Sequence, residues 1–219
     1  MRPERWLMMR LGVHRAVSVY RIKVKEVHVR KALMMAVATI LLAGWGNAWA
    51  ASPRVKLDTS MGTIVLELSS HRAPQTVENF LTYTRDGFYD GVIFHRVIKN
   101  FMIQSGGLTE AMARKTTRAP IKNEADNGLK NRKGSIAMAR TGDPHSATAQ
   151  FFINTKDNPN LDYREKSMQG WGYCVFGRVV KGMDVVMAIE AVRTGRKGPY
   201  RDVPRESVII RKATVMTPP

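Results

Sequence analysis

The sequence predicts a mainly β domain in which an antiparallel sheet closes into a barrel or packs as a sandwich. Only two segments have helical periodicity, which is too few to connect every strand to a parallel neighbour. No internal repeat is present, so one domain is expected. Short β-type runs, separated by Gly, Asn, Asp and Pro clusters, lie near residues 92–98, 101–105, 134–139, 150–154 and 174–180.

The first predicted element is a β-hairpin within residues 55–68, "VKLDTSMGTIVLEL". A turn at residues 61–62 separates two runs, and Ile64, Leu66 and Leu68 alternate with the side chains between them. This alternation with period two is typical of a half-buried strand. A further strand is expected at the C-terminal end, in "ESVIIRKATV".

Two helices are predicted from the spacing of apolar residues. The stretch "APQTVENFLTYTRDGFY" has Pro74 where a first-turn proline belongs and Gly87 as a stop. The second helix covers residues 182–192, "GMDVVMAIEAV", in which Val185 and Ile189 share one face.

Residues 1–50 have the composition of a secretory signal peptide. The apolar run "ALMMAVATILLA" at residues 32–43 follows the basic "HVRK" and precedes "GWGNAWA", the order of a cleavable signal. We expect cleavage after Ala50, a periplasmic location and a mature domain over residues 51–219. The run is shorter than the roughly 20 apolar residues that span a bilayer, so no stable membrane span is expected after cleavage. A retained anchor is the alternative.

The basic segment before this apolar run is unusually long for a signal peptide, which suggests a mis-annotated upstream extension. We therefore formulate the hypothesis that translation begins at Val27 or Val29. An N-terminal peptide from residues 2–26 in the cellular protein would contradict it.

Charge and cysteine usage exclude several classes of function. The chain carries a formal charge of +17, but residues 51–219 hold 26 basic and 16 acidic side chains, a net charge of +10. Its basic stretches "ARKTTR" and "LKNRKG" lack interleaved aromatic residues, so no nucleic-acid partner is expected. The single cysteine, Cys174, permits neither an intramolecular disulfide nor a cysteine metal site, and we expect no metal and no cofactor.

The usual catalytic motifs are absent. "QSGG" around Ser105 does not form the nucleophile elbow of a Ser-His-Asp hydrolase. Cys174 lies in the apolar run "YCVFG", which indicates a buried hydrophobic side chain rather than a reactive thiolate. No phosphate-binding glycine motif precedes a helix.

Four motifs occur in order: "FHRVIKNFMIQSGG" at residues 94–107, "SIAMART", "SATAQFFINT" and "YCVFGRVVKGMDVV". With them the sequence resembles the cyclophilin family of peptidyl-prolyl cis/trans isomerases, and looks most like its exported bacterial members. The match extends from about Val55 to Val215. The resemblance implies a closed eight-stranded antiparallel barrel, with a helix at each end and an active groove on its outer face.

The resemblance also implies the roles of individual residues. Arg96 corresponds to the family's catalytic arginine, and Gln104 to the ligand of the substrate carbonyl, beside Arg96. The proline pocket falls on Phe101, Met102, Phe152 and Leu161. Ala139 and Arg140 correspond to the strand whose backbone binds the peptide, Gln150 lies beside the groove, and Tyr173 occupies a position near the pocket.

Three positions depart from the pattern of many eukaryotic members. Asn160 stands where they have tryptophan, Tyr173 where they have histidine, and Arg140 where they have asparagine. Cyclosporin binding is therefore expected to be weak, and a basic Arg140 favours acidic or extended substrates. Lys99 and Asn100 replace a Pro-Gly turn.

The predicted function is peptidyl-prolyl isomerisation that assists the folding of exported proteins. Its expected partners are proline-containing peptides and unfolded exported proteins, and the expected state is a monomer. The alternative is a chaperone module that binds proline segments with little turnover. Isomerisation breaks no bond and moves no proton, so His95 is expected to have a structural role and Arg96 the catalytic one.

Overall fold

The computed structural model describes residues 52–216. The leader predicted for residues 1–50 lies outside the described residues. Two short 3₁₀ helices (Ala125–Asn127 and Pro159–Leu161) accompany the main elements. In chain order these are β1 (Arg54–Thr59), β2 (Gly62–Leu68), α1 (Pro74–Arg85), β3 (Arg96–Ile98), β4 (Met102–Ser105), β5 (Ser135–Met138), β6 (Phe151–Asn154), β7 (Val175–Lys181), α2 (Met183–Glu190), β8 (Thr194–Lys197), β9 (Tyr200–Pro204) and β10 (Ile210–Met216).

Eight strands form one antiparallel sheet in the order β10-β1-β2-β7-β5-β6-β4-β3. The mainly β fold, the eight strands and the two helices agree with the prediction, but closure of the barrel does not. Strands β10 and β3 are the two edges of a curled sheet that forms a half-barrel. β3 is only three residues long, so the segment before it makes isolated bridges instead: Ile93 pairs with Ile209, and Ile210 N donates to Val92 O at 2.8 Å.

Helix α1 begins at Pro74, as the sequence predicts, and buries Val77, Phe80 and Leu81 against the sheet. The N-cap residue of the helix makes no side-chain hydrogen bond to the first backbone N–H groups. The distant Glu124 satisfies them instead, because its carboxylate accepts hydrogen bonds from Gln75 N at 3.1 Å and Thr76 N at 2.8 Å. A negative charge at a helix N-terminus also interacts favourably with the helix dipole. Glu124 therefore ties α1 to the loop after β4.

Helix α2 packs against β2, β3 and β4. It follows Gly182, which has φ +86 and could not carry a side chain because a Cβ would lie 2.2 Å from Thr63 O. The buried carboxylate of Glu190, at the end of the helix, accepts a hydrogen bond of 2.8 Å from Asn100 N. Asn100 has φ +55 in the turn between β3 and β4. The helix thereby holds the turn between β3 and β4, which lies within the motif at residues 94–107.

The sheet separates two apolar clusters. The larger one contains an aromatic group in which Phe80 contacts Tyr89, Phe151 and Phe176 at ring distances of 5.0–5.4 Å. The smaller one contains Met102, Ala137, Phe152 and Val175. Successive side chains of a strand point to opposite faces, so Phe151 and Phe152 enter different clusters. Phe152 lies in the smaller cluster and Phe151 in the larger one.

Strands β8 and β9 form a separate two-stranded hairpin that the sequence analysis did not predict. Their sequences, "TGRK" and "YRDVP", are polar and contain glycine, aspartate and proline, so they lack the alternation that indicates a strand. The hairpin contacts β3, at the edge of the large sheet. Among the helices that the structure describes, none is long and apolar enough to cross a membrane.

Candidate active site

A cleft of about 470 Å³ lies between the outer face of the sheet and the β8–β9 hairpin. The lining includes all ten site residues that the sequence predicts: Arg96, Phe101, Met102, Gln104, Ala139, Arg140, Gln150, Phe152, Leu161 and Tyr173. Nine of these residues come from the four motifs, and Leu161 lies between the third and the fourth. The sheet brings them together because β6 pairs with both β4 and β5.

The floor of the cleft is apolar. Met102 and Phe152 are 2% and 4% exposed, and Phe101, Leu161 and Tyr173 are partly buried around them. The rings of Phe152 and Tyr173 meet edge to face, with centroids 5.6 Å apart. A pocket of this kind can accept a small apolar ring and exclude water around it.

Arg96 begins β3 and lies directly opposite Gln104 of β4. Its side chain is 45% exposed, and its Nε lies 4.0 Å from Oδ2 of Asp202 in β9. Gln104 donates its side-chain amide to Gln150 Oε1 at 2.9 Å. The partner that the structure assigns to the guanidinium is therefore Asp202, whereas the sequence suggested Gln104.

The opposite rim is organised by Arg140. Its Nε donates to Gly172 O at 2.9 Å, and its Nη1 donates to Thr141 O at 2.9 Å. The guanidinium lies 4.7 Å from the centre of the Tyr173 ring, a cation–π arrangement. Ala139 N donates to Gln150 O at 2.9 Å. Arg140 is thus held against the wall by several contacts.

His95 lines the cleft beside Arg96 but is only 6% exposed. Burial lowers the pKa of its imidazole to about 4. The contacts with the Ile93 backbone and the Gln150 side chain raise this pKa, but their effect is smaller than that of burial. The imidazole is therefore neutral near pH 7. A neutral ring adds no positive charge next to the guanidinium, and the Gln150 contact agrees with the structural role expected for it.

Besides His95, six lining residues lie outside the predicted set: Leu108, Arg114, Pro199, Tyr200, Arg201 and Asp202. The last four belong to the turn and second strand of the hairpin. Asp202 has φ +60, an uncommon conformation for a residue other than glycine. No sequence signal identified these residues, because none lies in a motif and the hairpin itself was not recognised.

The family model for "Cyclophilin type peptidyl-prolyl cis-trans isomerase/CLD" matches residues 54–215. The chain belongs to the cyclophilin family. It is 60% identical over 162 residues to "Peptidyl-prolyl cis-trans isomerase cyp18" of Streptomyces antibioticus, which covers 74% of this chain and 98% of the relative. It is 58% identical over 161 residues to isomerase B of Escherichia coli, with coverages of 74% and 98%. This cyclophilin is thus a peptidyl-prolyl cis-trans isomerase.

One further relative and two crystal structures are also similar to this chain. Isomerase A of Dickeya dadantii is 48% identical over 189 residues, which cover 85% of this cyclophilin and 98% of the relative. A crystal structure of a cyclophilin-type isomerase of Cryptosporidium parvum matches with a TM-score of 0.63 and 26% identity, covering 77% of this chain and 99% of that one. A second structure of that enzyme, determined in the presence of the dipeptide Ala-Pro, has a TM-score of 0.62 at 25% identity and covers 75% and 99%.

Within residues 52–216, no group of three or more His, Cys, Asp and Glu side chains is arranged to hold a metal ion. Cys174 is buried, and its pKa is raised to about 12 because burial disfavours the thiolate. The thiol therefore stays protonated near neutral pH. The cleft offers hydrogen-bonding groups, four guanidinium groups and an apolar pocket.

Proposed function

We propose that the cleft accelerates prolyl isomerisation by non-covalent catalysis, with Arg96 as the hydrogen-bond donor to the prolyl nitrogen. The observation that supports this most directly is the position of the Arg96 guanidinium beside the pocket of Phe101, Met102, Phe152 and Leu161. A charged donor and an apolar recess share one cleft.

Rotation about a peptide bond is opposed by a barrier of about 18–20 kcal/mol, because twisting removes amide resonance. As the bond twists, the lone pair of the prolyl nitrogen becomes localised and can accept a hydrogen bond. A donor aimed at that nitrogen binds the twisted state more strongly than the planar ground state, and such differential binding accelerates the reaction.

Arg96 suits this role because a guanidinium remains protonated and holds its donors in a rigid plane. Its Nε faces Asp202, which leaves the terminal Nη groups for the substrate. The pocket around Phe152 holds the pyrrolidine ring and keeps water away from the donor. Where the bound pyrrolidine ring excludes water, the electrostatic effect of the guanidinium is larger than in bulk water.

The polar residues of the cleft would hold the rest of the peptide. Gln104 is held by its hydrogen bond to Gln150, and we propose that it contacts the substrate carbonyl. Ala139 and Arg140 follow β5 and would bind the peptide backbone, with Tyr173 beside them. His95, neutral and buried, takes no part in proton transfer.

The test is turnover by Arg96→Ala, measured in a protease-coupled or magnetisation-exchange assay. We expect kcat/KM to fall about 10- to 150-fold, because a charged hydrogen bond is worth about 1.5–3 kcal/mol. Circular dichroism should remain that of the wild type. The matched control is Arg211→Ala, since Arg211 is exposed on β10.

Unchanged turnover in Arg96→Ala would remove Arg96 from the mechanism. Proline-peptide binding by the wild type without acceleration would instead support the alternative function, a binding chaperone module.

We further propose that the enzyme assists the folding of exported proteins in the periplasm, as a monomer. The support is the order of charge, apolar run and small residues in positions 28–50. The experiment is N-terminal sequencing of the protein from a periplasmic extract, with Ala51 expected as its first residue. Recovery in the membrane fraction with the leader attached would favour the retained anchor. Size-exclusion chromatography tests the monomer.

A further inference from the structure

We infer that this cleft selects proline-containing segments that carry an acidic side chain near the proline, and that Arg114 and Arg201 recognise it. The inference rests on the proposed function. It concerns Arg201 of the hairpin and Arg114 of the loop after β4, two lining residues that take no part in the proposed chemistry. The sequence had linked acidic substrates to Arg140, and the contacts of the structure point to a different pair of arginines.

Positive charge predominates in the lining. Four arginines (Arg96, Arg114, Arg140 and Arg201) face one aspartate, Asp202. His95 does not change this balance near neutral pH, because burial lowers its pKa to about 4. A concave site lined by one sign of charge focuses the field and concentrates ligands of the opposite sign. The cleft therefore attracts anionic peptide segments.

Two of the four arginines already have partners. Arg96 faces the carboxylate of Asp202. Arg140 donates to the carbonyl oxygens of Gly172 and Thr141 and lies over the ring of Tyr173. These contacts hold Arg140 on the far rim and occupy its Nε and Nη1 donors. They leave Nη2 as the donor that an acidic substrate side chain could reach there.

Within residues 52–216, Arg114 and Arg201, like Arg140, form no ion pair with a carboxylate, but no carbonyl oxygen holds their guanidinium groups as Gly172 O and Thr141 O hold that of Arg140. Both side chains are exposed. Arg114 donates through Nε to Tyr200 Oη at 3.4 Å, which leaves its terminal nitrogens for another acceptor. Arg201 follows Tyr200 directly. These two cations of the cleft therefore keep terminal donors available for a carboxylate.

Arg201 lies on the hairpin and Arg114 on the loop after β4, and hydrogen bonds join these two segments. Besides the bond between Arg114 and Tyr200, Lys197 Nζ donates to Glu110 O at 3.2 Å, and Leu108 forms a β-bridge with Arg114. These two hydrogen bonds restrict the movement of residues 108–114 relative to the hairpin. A positioned guanidinium loses less conformational entropy on binding a carboxylate than a free one does.

The experiment measures kcat/KM on peptides with Glu, Gln or Lys at the position two before the proline or one after it. The Glu and Gln peptides differ by one charge at nearly equal size. We expect the Glu peptide to exceed the Gln peptide about 3- to 10-fold in kcat/KM at low salt in at least one position, with the Lys peptide below both. The ratio should approach one in about 1 M salt, where the Debye length is about 3 Å.

The variant Arg114→Gln/Arg201→Gln should bring the Glu-to-Gln ratio at low salt to about one. The matched control is Arg193→Gln/Arg205→Gln, which removes the same charge at the base of the hairpin, outside the cleft. This control should retain the wild-type ratio. Because the ratio compares two peptides on one preparation, partial loss of folded enzyme does not alter it.

The results separate the inference from the function on which it rests. Turnover of all peptides with equal kcat/KM for Glu and Gln at low salt would overturn the inference and leave the isomerase function intact. A Glu preference that survives in Arg114→Gln/Arg201→Gln and disappears in Arg140→Gln would also overturn it. No turnover of any peptide would overturn both proposals.

Discussion

The two walls of the cleft are built in different ways. The strand wall, formed by β3, β4 and β6, carries Met102 and Phe152, which are 2% and 4% exposed. The hairpin wall, formed by β8 and β9, carries polar side chains such as Arg201 that are open to solvent. Buried side chains are held by packing, whereas exposed charges interact weakly and through screening solvent. Substitutions in the strand wall should therefore have larger effects than substitutions in the hairpin wall.

Among the substitutions in the two walls, replacement of Phe152 should give the largest combined loss of stability and activity. Phe152→Ala should lower the free energy of unfolding by about 2–4 kcal/mol. It should also reduce kcat/KM about 10- to 150-fold, because an apolar contact worth about 1.5–3 kcal/mol is lost from the pocket. The measurements are urea unfolding and the isomerisation assay.

The adjacent Phe151 is the matched control, because it points into the other cluster and is fully buried against Phe80 and Tyr89. Phe151→Ala should destabilise the fold by about 3–5 kcal/mol. The kcat/KM of its folded fraction should remain near the wild-type value. Equal catalytic losses in both variants would mean that the two faces of β6 are not functionally distinct.

The second effect is a pH dependence of stability that originates at His95. The pKa of His95 is lowered to about 4 in the folded protein, against about 6.5 in an unfolded chain. Between these values the unfolded state binds the proton and the folded state does not, so stability falls as pH decreases from about 6.5 to about 4. A difference of this size corresponds to about 3 kcal/mol.

Urea unfolding between pH 4.5 and 7.5 measures this dependence, and His95→Gln should flatten it. Lys56 lowers the pKa of Asp58 and Arg178 lowers the pKa of Glu67. These two carboxylates therefore lose their stabilising contribution to the folded state only at lower pH. An unaltered slope in His95→Gln would show that another group carries the dependence.

The smallest effect is expected in the hairpin wall, at Asp202. The change Asp202→Asn keeps the size of the side chain and tolerates the positive φ of this position. Loss of an exposed ion pair worth up to about 1 kcal/mol should lower kcat about 2- to 5-fold with little change in KM. In double variants with Arg96→Lys the effects should not add.

Glu206→Gln is the charge-matched control for Asp202→Asn, because Glu206 is exposed and lines a different cavity. It should leave kcat unchanged. A rise of kcat in Asp202→Asn would indicate that the carboxylate competes with the substrate for Arg96 instead of orienting it.

The two helices and much of the strand wall were predictable, because local sequence patterns specify them. Pro74 begins α1 as predicted, and the second helix extends over Met183–Glu190 within the predicted 182–192. The alternation of side chains along β6 places Phe151 and Phe152 on opposite faces, and the resemblance to cyclophilins assigned Phe152 to the groove. The motif around Arg96 and Gln104 and the "QFF" motif meet because strands β4 and β6 are neighbours, as the resemblance to cyclophilins implied.

The sequence predicted the mainly β class and the two helices, and its resemblance to cyclophilins named ten residues that line the cleft. Only the tertiary structure decided the open edge between β3 and β10, the β8–β9 hairpin, and the pairing of Arg96 with Asp202. The reason is physical: period and motif report on neighbours along the chain, whereas these features depend on contacts between distant segments. A polar hairpin without alternating side chains acquires its position from the edge strand that it contacts.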